Sequence, residues 1–360
     1  MTKVAILGGG NGAHAAAADL TLRGFEVHMY EDKLFAGKMK KVFDSRQIKL
    51  SGACGNETVS IAMITSDLHA ALEDVRYILI AVPAFAHKAY AEKLAPFIRP
   101  GQIVFLLPGT FGSLIFWNAF QNAGTAEDVI IAETNTLPYA TRLTGQGEVL
   151  VMSRFNPLKV GVMPSYKTQS TVKELSRFFA GLEASESVVA CGLSSLNPII
   201  HVPGCILNAG RIEYAKGEFF FYTEGFTDCV VRTTEAVDNE RIALLKKFGY
   251  KWDIVAHGIG SGEATDDLKK AVAGNPDFAR IKGPADVRNR YYSEDIPYGI
   301  ALWAKLAKHV GVKTPIMDSM VHLGCSILEQ DCWTSGYSIA DLGIEQMDLE
   351  QIKTHLQTGR

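Results

Sequence analysis

A chain of 360 residues, 47% hydrophobic and 21% charged, is long enough for two ordinary domains and too apolar for intrinsic disorder. Its 36 Lys and Arg stand against 39 Asp and Glu, a net charge of −3, so no cationic excess asks for nucleic acid or an anionic membrane. Six cysteines, at 54, 191, 205, 229, 325 and 332, include no Cys-x-x-Cys pair; they read as reduced thiols of a cytoplasmic protein, with no metal site expected.

The opening apolar run, Met1 to Leu7, is too short for a signal-peptide core and lacks a cleavage site. Val4–Leu7 reads as a buried strand, Ala13–Arg23 as an alanine-rich helix stopped by Gly24, and Glu26–Tyr30 as a second strand. Ala70–Glu73 closes a helix before the strand Tyr77–Val82. Helix Ala86–Ile98, strand Gln102–Leu107, helix Leu114–Asn122 and strand Val129–Ala132 follow. Strands Val149–Ser153 and Lys159–Met163 and helix Thr171–Leu182 complete the half. This alternation is the pattern of βαβ units on a parallel sheet. After Val189 only helical spacing remains, in Pro198–Ala215, Cys229–Phe248, Ala264–Ala273, Tyr298–Val310 and Pro315–Glu329. The expected fold is an α/β Rossmann-type dinucleotide-binding domain, 1–188, followed by an all-helical domain, 189–360, with a cleft between them.

Gly8-Gly9-Gly10-Asn11-Gly12-Ala13 sits between the first strand and the first helix. Read as G-x-G-x-x-A, it places Gly8 at the tight turn, Gly10 where a pyrophosphate approaches the backbone, and Ala13 where helix meets strand. The amides of Asn11, Gly12 and Ala13 open the helix and favour phosphate. Glu31 ends the second strand, placed to accept from ribose hydroxyls and to repel a 2′-phosphate; NAD is expected, with NADP left open by Lys33 and Lys38. Val82-Pro83 and Pro108-Gly109 follow two further strands and are expected to line the same cofactor site.

The longest stretch without Asp, Glu, Lys or Arg runs from Ser187 to Gly210. It could span a membrane by length, yet it holds Asn197, Pro198, His201, Pro203 and Gly204 and reads as a buried functional segment. On a helix Asn197 and His201 share a face. His201 is either a satisfied core histidine or a general acid/base. The segment Arg288 to Tyr298 offers carboxylates to orient it and a guanidinium to hold a carboxylate, or is a solvated charged loop.

Several separated blocks together resemble the opine dehydrogenase family of the octopine/nopaline type. They are Leu7-Gly8-x-Gly10-Asn11-Gly12-x-His14-Ala15, Val82-Pro83-Ala84-x-x-x-His87, Pro108-Gly109-x-x-Gly112 and Glu133-Thr134. Leu207-Asn208-Ala209-x-Arg211, Gly274-Asn275-Pro276, Gly283-Pro284 and Arg290-Tyr291-x-x-Glu294-Asp295 continue the series. The resemblance implies an NAD(P)H-dependent reductive condensation of a 2-oxo acid, such as pyruvate, with the amino group of an amino acid. It implies His201 as the catalytic histidine, Asp295 as its partner and Arg290 as the carboxylate-binding arginine, with Asn197 a further substrate-side candidate. The expected partners are therefore small molecules, not nucleic acid or membrane. A homodimer stays open, although no sustained heptad seam announces one. The same residues would also suit a reductase of 2-oxo acids that uses no amine, and the fold a non-catalytic NAD-binding sensor.

Overall fold

The computed structural model describes residues 1–259 and 265–360 and divides the chain into two units, Met1–Gly192 with Thr354–Arg360, and Leu193–Lys353. The first holds twelve strands: β1 Lys3–Leu7, β2 Glu26–Tyr30, β3 Gln47–Gly52, β4 Thr58–Ser60, β5 Met63–Thr65 and β6 Tyr77–Ile80 come first. β7 Ile103–Leu106, β8 Ile130–Thr134, β9 Tyr139–Gly145, β10 Glu148–Arg154, β11 Leu158–Met163 and β12 Leu182–Ala184 follow. Eight of them form a sheet in the order β12-β11-β8-β7-β6-β1-β2-β5. All neighbours are parallel except β8 and β11. β6 and β7 are buried along their whole length, as central strands of a parallel sheet are. This is the Rossmann-type plan.

Register sets what lies at the functional edge. Leu7 pairs with Tyr30 and Ile80, and Leu106 pairs with Ile80 and Glu133. The carboxyl ends of five strands are thus level, and strand order reverses around β1, where such sheets hold ligands.

Four strands form a second sheet, β4-β3-β10-β9, which the sequence pattern does not announce. Val149–Ser153 is a strand as expected, but β10 pairs with β9 and β3 rather than joining the large sheet. Helix α1, Asn11–Leu22, ties to this sheet through Asp19, which accepts from Tyr139 Oη at 2.8 Å and Arg154 Nη2 at 2.5 Å. The expected helix Thr171–Leu182 is shorter, Thr168–Leu175, because Leu182–Ala184 is needed as the strand beside β11.

The unit boundary falls after Gly192 rather than after residue 188. Helix Val188–Gly192 packs so closely on β11 that a Cβ on Gly161 would stand 2.6 Å from Val188 Cα. The last residues also depart from the expected 189–360 domain. Gln121 donates to Gly359 O at 3.3 Å and Gly359 lies against the Trp117 ring, so the C-terminus belongs to the first unit.

The regular structure of the second unit is helical among the described residues, apart from one isolated bridge between Phe220 and Lys282. The helices that carry the argument are α2 Leu196–Ile206, α3 Asp228–Phe248, α4 Arg290–Ser293 and α5 Pro315–Leu328. The expected helix Pro198–Ala215 breaks at Leu207-Asn208 and resumes at Ala209. The expected Tyr298–Val310 begins as a π-helical turn, Asp295–Ile300, before α-helix Ala301–His309. A helix covers Leu268–Gly274; Ala264, expected in it, lies outside the described residues. Val188–Ile206 is long and apolar enough to cross a membrane, but 78% of it is buried inside the protein.

Glu133 shows how a buried carboxyl is used. It ends β8, has no exposed surface, and accepts from Phe111 N, Ser113 N and Ser113 Oγ at 3.2, 3.0 and 2.6 Å. Thr110 and Phe111 both have positive φ (49° and 63°), a conformation that costs about 1–2 kcal/mol per non-glycine residue. The carboxyl holds that turn in place. Burial pushes its pKa up to about 7, against 4.5 for an ordinary glutamate. Folded, it stays protonated up to about pH 7; unfolded, it ionises above 4.5. Its contribution to stability is therefore full below pH 4.5 and is lost as pH rises to about 7. Denaturant unfolding from pH 4.5 to 8 tests this: Glu133→Gln should gain about 3 kcal/mol relative to the parent over that range. Parallel pH dependences would contradict it.

Candidate active site

Two groups of residues carry chemistry, one in each unit. In the first, the glycine turn leaves β1 at Gly8 with φ +118°. A Cβ there would meet Ala81 O at 2.7 Å, so both backbone angle and space demand glycine. Gly9 lies against the Glu31 carboxylate and Met39. Gly10 is the N-cap of α1, and no side chain caps the helix there. A Cβ on Gly10 would meet nothing within 4 Å, so its outer face is open. Ala13 is fully buried under the helix, and Gly12 packs on Leu137. The Asn11 side chain is turned to Leu143 N, whose hydrogen bond it accepts at 2.9 Å, so only the Asn11 backbone remains for a phosphate.

Glu31 is 8% exposed and accepts from Asp32 N at 2.8 Å and Tyr90 Oη at 3.2 Å. Burial raises its pKa, and the bond from Asp32 N opposes the rise. Asp32 is itself paired with Lys93. Val82 and Gly109 are buried at the same strand edge; Pro83 and Pro108 are half-buried beside them.

In the second unit the segment read as buried does bury His201, at 7% exposure. The π-helical turn brings Asp295 to it. That turn can approach α2 because Gly299 has no side chain: a Cβ there would stand 2.6 Å from Pro198 Cγ. Gly324 of α5 makes room for Ile296 in the same way. His201 Nδ1 lies 2.7 Å from Asp295 Oδ2, and its Nε2 lies 3.2 Å from Tyr222 Oη. Tyr291 stacks on the imidazole at 3.6 Å and 12°. A carboxylate at Nδ1 accepts the proton there and leaves Nε2 as the nitrogen that can exchange one.

Arg290 stands in α4, one turn before Asp295; its Nε and Nη2 both contact Glu294 Oε2 at 2.5 Å, and its side chain is 71% exposed. Asn197 and His201 stand i and i+4 on α2, as the spacing predicts, with Asn197 exposed in its first turn. The structure brings His201 and Asp295 together, keeps Arg290 close in chain, and leaves Asn197 exposed one turn before His201. Tyr222 carries no mark in the sequence, because Phe219-Phe220-Phe221-Tyr222 reads as plain core. No group of metal-ligating side chains occurs among the described residues.

Residues 184–328 match the family described as NAD/NADP octopine/nopaline dehydrogenase, alpha-helical domain. Residues 3–109 match the NAD-dependent glycerol-3-phosphate dehydrogenase N-terminus. The chain is 30% identical over 355 residues to an opine dehydrogenase of Arthrobacter sp. (strain 1C), covering 98% of each. It belongs to the opine dehydrogenase family. A vitopine synthase of Allorhizobium ampelinum is 24% identical over 96% of each chain. A solved octopine dehydrogenase in complex with NADH and L-arginine has the same fold, with a TM-score of 0.79 at 19% identity over 100% of this chain and 98% of that one. The chain is accordingly an NAD(P)-dependent oxidoreductase acting on CH–NH bonds, which condenses a 2-oxo acid reductively with an amino acid.

The glycine turn yields a stability test. Gly8→Ala should cost about 1–3 kcal/mol in urea unfolding, from positive φ and collision with Ala81. Gly10→Ala, in open space, should stay within about 0.5 kcal/mol of the parent. Equal losses would contradict the assignment of roles within the turn.

Proposed function

We propose that His201 is the general acid/base of this reaction, Asp295 its orienting partner and Arg290 the clamp for the oxo-acid carboxylate. The observation that carries the reading is the 2.7 Å bond between His201 Nδ1 and Asp295 Oδ2, made by a buried imidazole. The first unit fits a nicotinamide dinucleotide: Gly10 is open, α1 begins without a side-chain cap, and Glu31 abuts the turn. The bound cofactor supplies the hydride. Gly8, Gly10, Gly12 and Ala13 shape the pyrophosphate seat, with backbone contacts from Asn11 and walls from Val82, Pro83, Pro108 and Gly109. Glu31 accepts from the ribose hydroxyls and opposes a 2′-phosphate, so NAD is preferred.

The protein's own work is proton management and aim. His201 gives a proton through Nε2 as the amine condenses and the imine forms, and takes one back in the reverse direction. Asp295 fixes the tautomer and stabilises the charged imidazolium. Arg290 has five N–H donors and spends its present contacts on one oxygen of Glu294, so it can take a substrate carboxylate bidentately and hold the reacting carbon in place. Pyruvate is the oxo acid proposed, in keeping with a solved complex of octopine dehydrogenase with NADH and pyruvate. The six cysteines are all thiols, in keeping with action in the reducing cytoplasm.

His201→Ala should lower turnover by roughly 10²–10⁴ while NADH affinity, read by fluorescence titration, stays nearly unchanged. Arg290→Ala should chiefly raise KM for the oxo acid. Wild-type turnover in His201→Ala would return the residue to a core role. Glu31→Ala should improve the use of NADPH relative to NADH; a parent enzyme that already prefers NADPH would contradict the role given to Glu31.

A further inference from the structure

We propose that Tyr222 is a positioning residue for the reaction, acting through Nε2 of His201. This rests on the acid/base role proposed above for His201. The Tyr222 hydroxyl is 3.2 Å from Nε2, the nitrogen that Asp295 does not use, and Tyr222 is 5% exposed. Its ring is held by a parallel stack on Phe278, 4.0 Å between centroids and 12° between planes. The imidazole is held by its own stack on Tyr291 and by Asp295. Each ring is thus held by an aromatic face, Tyr222 is also hydrogen-bonded to Tyr291, and hydroxyl and imidazole meet at Nε2.

A phenol suits both states of the histidine. It donates to Nε2 of the neutral ring, and it accepts from the N–H of the imidazolium. The second bond is charge-assisted and about twice as strong as the first. The hydroxyl therefore favours the charged ring and holds Nε2 until the substrate takes its place. Burial holds the phenol's own pKa well above its ordinary value, so it stays a neutral hydroxyl across the working range.

Other groups around the imidazole do not take this part. Tyr291 faces the ring plane, not a nitrogen. Cys205, on the same helix, is kept a neutral thiol by burial, and its carbonyl accepts from Tyr292 Oη at 2.6 Å. Arg290 and Glu294 engage each other, as do Asp238 and Arg241 of α3. The buried face of α5 carries no ionisable group.

The test is Tyr222→Phe, which keeps the stacking ring and removes the hydroxyl. In the variant the high-pH limb of reductive turnover should lie about half a unit to one unit lower in pH than in the parent, with kcat reduced and NADH affinity unchanged. A profile superimposable on the parent's, with only a lower Tm, would make Tyr222 structural and overturn the proposal. Nitrogen-15 spectra of the histidines in the parent protein give a second reading that needs no variant of Tyr222. They should show His201, assigned by its loss in His201→Ala, as the Nδ1–H tautomer with a hydrogen-bonded Nε2; an Nε2–H tautomer would overturn it. Full activity in His201→Ala would instead remove the acid/base role itself, so the two failures are distinguishable.

Discussion

A buried imidazole must have both nitrogens satisfied, and most of the second unit's local design follows from that requirement. An unpartnered polar group at His201 would cost about 1–3 kcal/mol, a large part of a domain's net stability. The chain meets the need by bringing in elements from far along the sequence. Asp295 arrives on a π-helical turn, Tyr222 on a short helical turn, and Tyr291 lies over the ring. Glycines at 299 and 324 remove the side chains that would keep those backbones apart. On the role proposed for His201, the same partners prepare it chemically: Nδ1 is committed to a carboxylate, and Nε2, held by a neutral hydroxyl, is the nitrogen that would exchange a proton.

The first unit solves a different problem with backbone. Its level strand ends gather the glycine turn, Glu31 and the Pro108–Gly109 turn at one edge. The proposed binding capacity there rests on uncapped helix amides and absent side chains, and the proposed discrimination on the Glu31 carboxylate. Glu31 and Glu133 are both buried and both raised by burial, yet their tasks differ. Glu31 lies against the glycine turn on the side expected to hold the ribose. Glu133 turns inward and pins two residues in left-handed conformations.

Much of this was legible in the sequence where one physical signal dominates. β6 and β7 are short, wholly apolar runs, β1 is apolar after Lys3, and Glu26–Tyr30 matches its observed strand to the residue. The glycine turn was legible because steric need at Gly8 leaves a compositional mark. The second sheet was not: its strands alternate half-exposed polar residues, as in Tyr139–Gly145, and their pairing is long-range. The π-helical turn was hidden because Asp-Ile-Pro-Tyr-Gly-Ile carries no period of its own. His201 could be singled out as polar in an uncharged stretch, but Asp295 lies 94 residues away and local pattern could not select it among its neighbours. Family resemblance supplied that link. Nothing supplied Tyr222, since a tyrosine in an aromatic run looks like core until its hydroxyl is seen against Nε2.

The central claim is that this site joins an amine to an oxo acid rather than simply reducing a carbonyl. It is tested most directly by NADH oxidation with pyruvate, with and without a mixture of the common amino acids. Oxidation that depends on the amino acids is the predicted result, and dividing the mixture would then identify the amine. Equal oxidation of NADH with pyruvate alone would contradict it and make the enzyme a reductase of 2-oxo acids.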